Sequence, residues 1–302
     1  MTVKDYIRKG IEELFPLYSK EDAKSLLLLI LKHYSRWPTH VYYTDPNRML
    51  PASCLSDVQK AFDDLLKARP IQYILGETHF EGCPLKVREG VLIPRPETAE
   101  LVRWAKAACK ERPQDSLHIL DLCTGSGAIA IALAKAFPQA KVYGVDICEI
   151  AVEIAVENNV LNRTEVCFFK ADILQPPDLH RASLLPHSFD LIIGNPPYVC
   201  ESEKAHMHPN VLNYEPHQAL FVPDHDPLLF YRALADWGAV LLKDNGLLLS
   251  EINETMGQEL TALLAHKGYS SVQLRKDLNG KPRMCYAVRA FSTPQSSRSD
   301  PC

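Results

Sequence analysis

The chain has 302 residues, of which 46% are hydrophobic and 23% charged, with a net charge of −4. These values suit a globular protein with one core of about 200 residues plus a smaller domain, and they exclude extended disorder. They also weigh against function through phosphate contacts, because residues 1 to 70 carry 11 Lys or Arg against 9 Asp or Glu and no basic footprint exists elsewhere.

The nine cysteines form no C-x-x-C pair, a pattern of reduced thiols in a cytosol rather than of disulfides or zinc. The segment Met1 to Gly10 lacks the apolar core of a signal peptide. The apolar run Leu26 to Leu31 falls far short of the roughly 20 residues that span a bilayer. A cytoplasmic protein without membrane association is expected.

Residues 1 to 78 are predicted to form a helical domain. Its helices are Val3 to Leu14, Lys20 to Tyr34 with apolar positions on one stripe, and Ser53 to Ala68, with Ser19 or Ser56 as candidate N-caps. So small a bundle has a modest core and is expected to dock on its own catalytic domain or on a partner. Residues 79 to 93 alternate as a hairpin linker does. Pro94-Arg95-Pro96-Glu97-Thr98 then opens a helix, with Pro96 near its first turn and Glu97 suited to its positive end.

From Ser116 a short strand runs through Asp121 and Leu122 into the turn Cys123-Thr124-Gly125-Ser126-Gly127 and on into an alanine-rich helix. A doubly wound α/β sheet begins in this way. Lys141 to Asp146 is a second strand with a carboxylate at its carboxyl end, where an acidic residue can accept both hydroxyls of a ribose. Read as Gly125-x-Gly127-x-x-Ala130 followed by Asp146, these residues also fit a dinucleotide fingerprint, so an NAD-dependent oxidoreductase is a competing reading. Three features favour a sulfonium cofactor: Asp121 before the turn suits a ligand ammonium better than a pyrophosphate, the third position is alanine, and the fourth strand leads into Asn195-Pro196-Pro197-Tyr198.

Val166 to Lys170 is the third strand, and Asp172 beyond it is placed either to touch an adenine amino group or to stand as a surface carboxylate. Gln175 to Ser188, with Pro176, Pro177 and Pro186, reads as a surface loop, and the fourth strand is Asp190 to Ile193. The tetrapeptide after it is equipped to handle a planar NH2 group. An amide or aryl nitrogen has its lone pair tied into a π system and attacks carbon poorly unless pushed towards tetrahedral geometry. Two acceptors can do this, the Asn195 side-chain oxygen and the Pro196 carbonyl, while Tyr198 packs on the plane. Consecutive prolines stiffen the loop and leave carbonyls unengaged, and acceptors fixed in advance stabilise charge developing on nitrogen.

His206, His208, His217 and His225 follow, but without a C-x-x-C or H-E-x-x-H frame they read as solvated or capping residues. A helix over Asp226 to Leu242 and strands at Gly246 to Glu251, Ser271 to Leu274 and Met284 to Val288 complete the domain, and residues 291 to 302 form a polar, flexible tail.

Taken together, these motifs resemble the release factor glutamine methyltransferases, the HemK/PrmC group. The resemblance runs from about residue 4 to residue 290 and also rests on Pro70 to Gly76, Leu92 to Thr98 and Lys276 to Arg283. It implies a Rossmann-like α/β fold with a seven-stranded, mostly parallel sheet over residues 94 to 290, joined by the hairpin to the helical domain. It implies S-adenosylmethionine as cofactor, contacting Cys123, Thr124, Gly125, Ser126, Gly127, Asp146 and Asn195, with Asp172 and Ile173 at the adenine. It further implies that Asn195, Pro196, Pro197 and Tyr198 hold the glutamine of a release factor's Gly-Gly-Gln motif, that the helical domain helps present that protein, and that Glu215 and Pro216 lie in a substrate-side lid. Cys123 and Asn253 stand where the family commonly has glycine, and Ile173 stands where some relatives have an aromatic residue. Two alternatives stay open: an adenine or guanine amino-methylase acting on RNA or DNA, which faces the same lone-pair problem, and a non-enzymatic adenosine-nucleotide sensor.

Overall fold

The computed structural model describes residues 1–112, 117–179 and 184–290. The chain begins with helices α1 (Val3–Leu14), α2 (Lys20–Ser35), α3 (Val41–Thr44), α4 (Leu55–Leu66) and α5 (Ile71–Leu75), then the hairpin strands β1 (Glu77–Phe80) and β2 (Cys83–Lys86). Next come α6 (Pro96–Lys110), β3 (His118–Leu122), α7 (Ala128–Ala136), β4 (Lys141–Asp146), α8 (Glu149–Asn162), β5 (Val166–Lys170) and β6 (Phe189–Gly194). The last part holds β7 (Val199–Cys200), α9 (Pro209–Leu212), α10 (His217–Leu220), β8 (Phe221–Val222), α11 (Leu229–Leu241), β9 (Leu242–Glu251), α12 (Gly257–His266), β10 (Tyr269–Lys276) and β11 (Pro282–Arg289).

Two compact units result. The first comprises Met1–Glu77, Val87–Glu89 and Met207–Glu215. Its core is built from one face each of α1, α2 and α4, with Val3, Leu14, Leu27, Ile30, Leu31 and Val58 fully buried. The helix starts are set by side chains that satisfy first-turn N–H groups: the Thr2 hydroxyl accepts from the Asp5 N–H, and Ser19 accepts from the Asp22 N–H at 3.1 Å. Ser56 does not cap the third long helix, because a 3₁₀ turn at Ala52–Cys54 leads into α4 and places Ser56 inside it. Within the same unit, the Tyr214 hydroxyl donates to the Lys67 carbonyl at 2.9 Å and the Tyr18 and His208 rings lie 6.0 Å apart.

The second unit is built on a seven-stranded sheet of order β10-β11-β9-β6-β3-β4-β5. β3 pairs in parallel with β4 and β6, β4 with β5, and β6 with β9; β11 alone runs against both of its neighbours. Alternate residues on each central strand face opposite layers. Ile119, Leu191, Ile193 and Leu249 pack with α6 and α7, while Leu120, Leu122, Ile192 and Leu248 pack with α11 and α12. β6 is buried along its whole length, and Leu191 to Ile193 are apolar as a strand covered on both faces requires, while the buried Asp190 is paired with Lys243. The strand expected from Ser116 begins, among the described residues, at His118, and β9 and β10 extend beyond their expected starts. Residues 180–183 of the expected surface loop and the tail from 291 lie outside the described residues.

Parallel pairing gathers the carboxyl ends of β3, β4, β5, β6 and β9 on one edge, the edge where doubly wound sheets bind ligands. Gly194 closes β6 there, and a Cβ at this position would lie 2.5 Å from the Leu122 carbonyl oxygen. A backbone atom inside the sheet cannot give way, so Gly194→Ala is expected to lower stability by about 2 kcal/mol. Urea denaturation checks this, and an unchanged midpoint would contradict it.

Candidate active site

The loop from β3 to α7 is shaped by Gly127, which stands at the N-cap of α7 with φ +79°. A Cβ there would lie 2.9 Å from the Phe168 ring, so only glycine fits. Glycine at an N-cap offers no side chain to the first-turn N–H groups, and Asp121 supplies the missing acceptor. Its Oδ2 accepts from the Ala130 N–H at 3.2 Å and from the Thr124 hydroxyl at 2.6 Å. Asp121 is fully buried, its Oδ1 has no hydrogen-bond partner, and burial pushes its carboxyl up to about 7. The carboxylate expected to suit a ligand ammonium therefore stands behind the cleft wall, committed to the helix start.

Asp146, at the end of β4, is placed differently. It lies on the wall of a cleft whose empty space, open mouth included, is about 1090 Å³. Its Oδ2 accepts from the Gly125 N–H and its Oδ1 from the Cys148 N–H, each at 2.9 Å. Burial raises its pKa while these N–H groups hold it down. Each oxygen keeps lone pairs beyond these bonds, as two ribose hydroxyls require.

The same wall carries Cys123, Thr124, Gly125 and Ser126 from the loop, Asp172 and Ile173 after β5, and Asn195 and Pro197 after β6. Asp172 Oδ1 accepts from the Leu174 N–H at 2.9 Å. Gly127 stands behind the loop at the helix start. Sequence reasoning did not single out Ile147, Gln218 or Phe230, which also line the cleft. A carboxylate with spare acceptors, cleft-lining loop residues and the apolar faces of Ile147, Ile173 and Phe230 match the ribose, amino-acid and adenine parts of S-adenosylmethionine.

Asn195 is half-buried, and its Nδ2 donates to the Thr98 Oγ1 at 3.3 Å. Pro196 is buried between the lining residues Asn195 and Pro197, and Tyr198 is not among the lining residues. Tyr198, expected to pack on the substrate amide, turns its ring onto the apolar cluster shared with α11, and its hydroxyl donates to Glu251 Oε1 at 2.7 Å. Thr98 and Glu251 carried no chemical signal in the sequence, yet the Thr98 hydroxyl donates to the buried Glu251 Oε2 at 2.6 Å. Asn253 Nδ2 donates to the Tyr198 carbonyl at 3.1 Å and to Glu203 Oε2 at 3.0 Å, bonds that a glycine cannot make. His208 caps α9, and among the described residues no group of three His, Cys, Asp or Glu is placed to hold a metal.

Two stability predictions follow from this geometry. Cys123 has φ +61°, a left-handed conformation that costs an L-residue roughly 1–2 kcal/mol. Cys123→Gly is therefore expected to raise stability by up to about 1 kcal/mol once glycine's extra chain entropy is deducted, and a lowered urea midpoint would contradict this. The second concerns Asp121. Its folded pKa of about 7 lies above the ordinary carboxylate value near 3.9, so between these pH values the folded chain holds a proton that the unfolded chain releases. Stability contributed by this group is full below the lower value and is lost as pH rises through about 7. Asp121→Asn removes the dependence, so its stability relative to the parent is expected to improve from pH 4 to pH 7; a pH-independent difference would contradict the assignment.

The methyltransferase small domain model matches residues 108–213. The release factor glutamine methyltransferase of Flavobacterium psychrophilum is 40% identical over 285 residues, covering 94% of this chain and 98% of the relative. The enzyme of the same name from Bacteroides thetaiotaomicron is 40% identical over 284 residues, with the same coverage of 94% and 98%. Among solved structures, the protein-(glutamine-N5) methyltransferase (release factor-specific) of Alicyclobacillus acidocaldarius is 25% identical, with a TM-score of 0.41 over 68% of this chain and 99% of that one. With 40% identity across almost all of both sequences, the chain belongs to the release factor glutamine methyltransferase family.

Proposed function

We propose that the cleft transfers the methyl group of S-adenosylmethionine to the side-chain nitrogen of the glutamine in the Gly-Gly-Gln motif of a peptide-chain release factor. The observation that carries this reading is Asn195 on the same wall as Asp146 and the β3–α7 loop, with its Nδ2 engaged by Thr98. Its Oδ1 is thereby left to accept a hydrogen bond from a substrate amide.

S-adenosylmethionine, the methyl donor of this enzyme, supplies an electrophilic methyl on a sulfonium. Asp146 would accept the ribose hydroxyls, the backbone from Cys123 to Gly127 would border the amino-acid portion, and Asp172 and Ile173 the adenine. Asn195 Oδ1 accepts one amide N–H and the Pro196 carbonyl the other, which draws the nitrogen out of conjugation and towards the methyl. Pro197 closes the wall, and Tyr198 steadies the turn from behind through its bond to Glu251. As N–CH3 forms, the S–CH3 bond would break with its electron pair left on sulfur, giving S-adenosylhomocysteine, and the extra proton on the methylated nitrogen, a strong acid, would pass to water.

The helical unit, residues 1 to 78 in the proposed division, recognises the protein substrate in this account; residues 79 to 93 link it to the catalytic domain of residues 94 to 290. No helix among the described residues is long and apolar enough to cross a membrane, and the net charge of −4 offers no general attraction to nucleic acid. Both support a cytoplasmic enzyme acting on protein.

Incubation of labelled S-adenosylmethionine with a purified release factor, its Gln-substituted form and bulk RNA tests the reading. Label is expected on the unmodified release factor alone. Label on RNA would establish the amino-methylase alternative, and binding without transfer the sensor. Asn195→Ala is expected to lower turnover by about 100- to 1000-fold while cofactor binding persists; full activity would contradict the role.

A further inference from the structure

We propose that Glu251 is a positioning residue: from the root of a buried hydrogen-bond chain it dictates which way the Asn195 carboxamide faces. The inference rests on Asn195 being the amide acceptor and adds what makes it one.

The strand register creates the chain. β6 and β9 pair in parallel with Gly194 beside Ser250, so the next residues of the two strands, Asn195 and Glu251, leave the sheet side by side. Thr98, from the first turn of α6, meets both. Glu251 is 1% exposed and Thr98 4%, so water does not compete for these bonds.

Directionality does the rest. A carboxylate accepts and cannot donate. Its Oε1 is taken by the Tyr198 hydroxyl and its Oε2 by the Thr98 hydroxyl. Thr98 has a single hydroxyl proton, and that proton is committed to Glu251. Towards Asn195 it can offer only a lone pair, so the atom of Asn195 that faces it must be the donor, Nδ2. Oδ1 is then the atom left over for a ligand. A neutral amide at position 251 breaks this logic. Its NH2 can donate to Thr98, the hydroxyl proton is released to point at Asn195, and the carboxamide can turn over. Asn195 would then present its own NH2 to a substrate NH2, donor against donor. Burial raises the Glu251 carboxyl above the ordinary carboxylate range, while the hydrogen bonds from Thr98 and Tyr198, and Arg283 after them, favour its ionised form.

A purely structural role, tying α6 to β9, would lower folding stability and cofactor affinity together with activity. The test therefore follows kcat on a purified release factor, S-adenosylmethionine affinity by calorimetry, and the thermal midpoint, for the full-length parent, Glu251→Gln, Thr98→Val, Thr98→Ser and Asn195→Ala. Expected are a fall in kcat of at least about tenfold for Glu251→Gln and Thr98→Val, with cofactor affinity within about twofold of the parent. Thr98→Ser, which keeps the hydroxyl, is expected to stay within about threefold in kcat. Parent-like kcat in Glu251→Gln, with Asn195→Ala inactive, overturns this inference alone. Cofactor affinity and midpoint falling in step with kcat also overturn it, in favour of the structural role. Parent-like activity of Asn195→Ala overturns the underlying reading instead. If Glu251→Gln does not fold, the two Thr98 variants decide by the same outcomes.

Discussion

In the proposed function, the hydrogen bond from Asn195 Nδ2 to Thr98 Oγ1, at 3.3 Å, sets what the cleft does with a flat nitrogen. An unreactive amide needs acceptors held in place before it arrives, because an acceptor that must reorient during reaction loses much of its electrostatic advantage. The bond occupies the donor half of the Asn195 carboxamide and leaves the acceptor half for the substrate. Its surroundings are made by close backbone approach: Gly194 brings the end of β6 against Leu122 of β3, and the β6–β9 register sets Glu251 beside Asn195. The chemistry at one side chain thus depends on where three strands end.

Two carboxylates beside the same loop show how placement divides roles. Asp146 accepts two backbone N–H groups at 2.9 Å and still lines the cleft, so it can serve a ligand while bracing the loop. Asp121 is sealed behind the loop and satisfies the start of α7, where Gly127 has no side chain to contribute. The negative charge or dipole of Asp121 favours the positive end of the helix. The helix start and Asp146 together hold the loop from Cys123 to Gly127 in its turned conformation, at the expense of a left-handed Cys123.

The long helices were legible from periodicity, joined at Lys20–Ser35 by the expected cap Ser19; the cap of Val3–Leu14, Thr2, had not been singled out. The one-turn helices Val41–Thr44 and Ile71–Leu75 escaped because four or five residues show no period. β9 was expected from Gly246 because Lys243, Asp244 and Asn245 interrupt its apolar run; they sit at the open end of the strand, where a polar residue costs little. In the site, Asp146, the glycine turn and Asn195 announce themselves locally, each as a residue type at the end of a strand. The partnership of Thr98 with Glu251 joins residues 153 apart, and only the folded sheet creates it. Asp121 illustrates an ambiguity that sequence leaves open: a carboxylate before a glycine turn suits a ligand ammonium and a helix N-terminus equally well, and in the fold its Oδ2 serves the second.

The central claim is that Asn195 meets the glutamine nitrogen through its side-chain oxygen. A crystal structure of the enzyme with S-adenosylhomocysteine and a Gly-Gly-Gln peptide tests it most directly. The account predicts Asn195 Oδ1 and the Pro196 carbonyl both within hydrogen-bond distance of the glutamine nitrogen, with Nδ2 still on Thr98. A glutamine nitrogen seated elsewhere, or an Asn195 carboxamide turned away from it, would contradict the account.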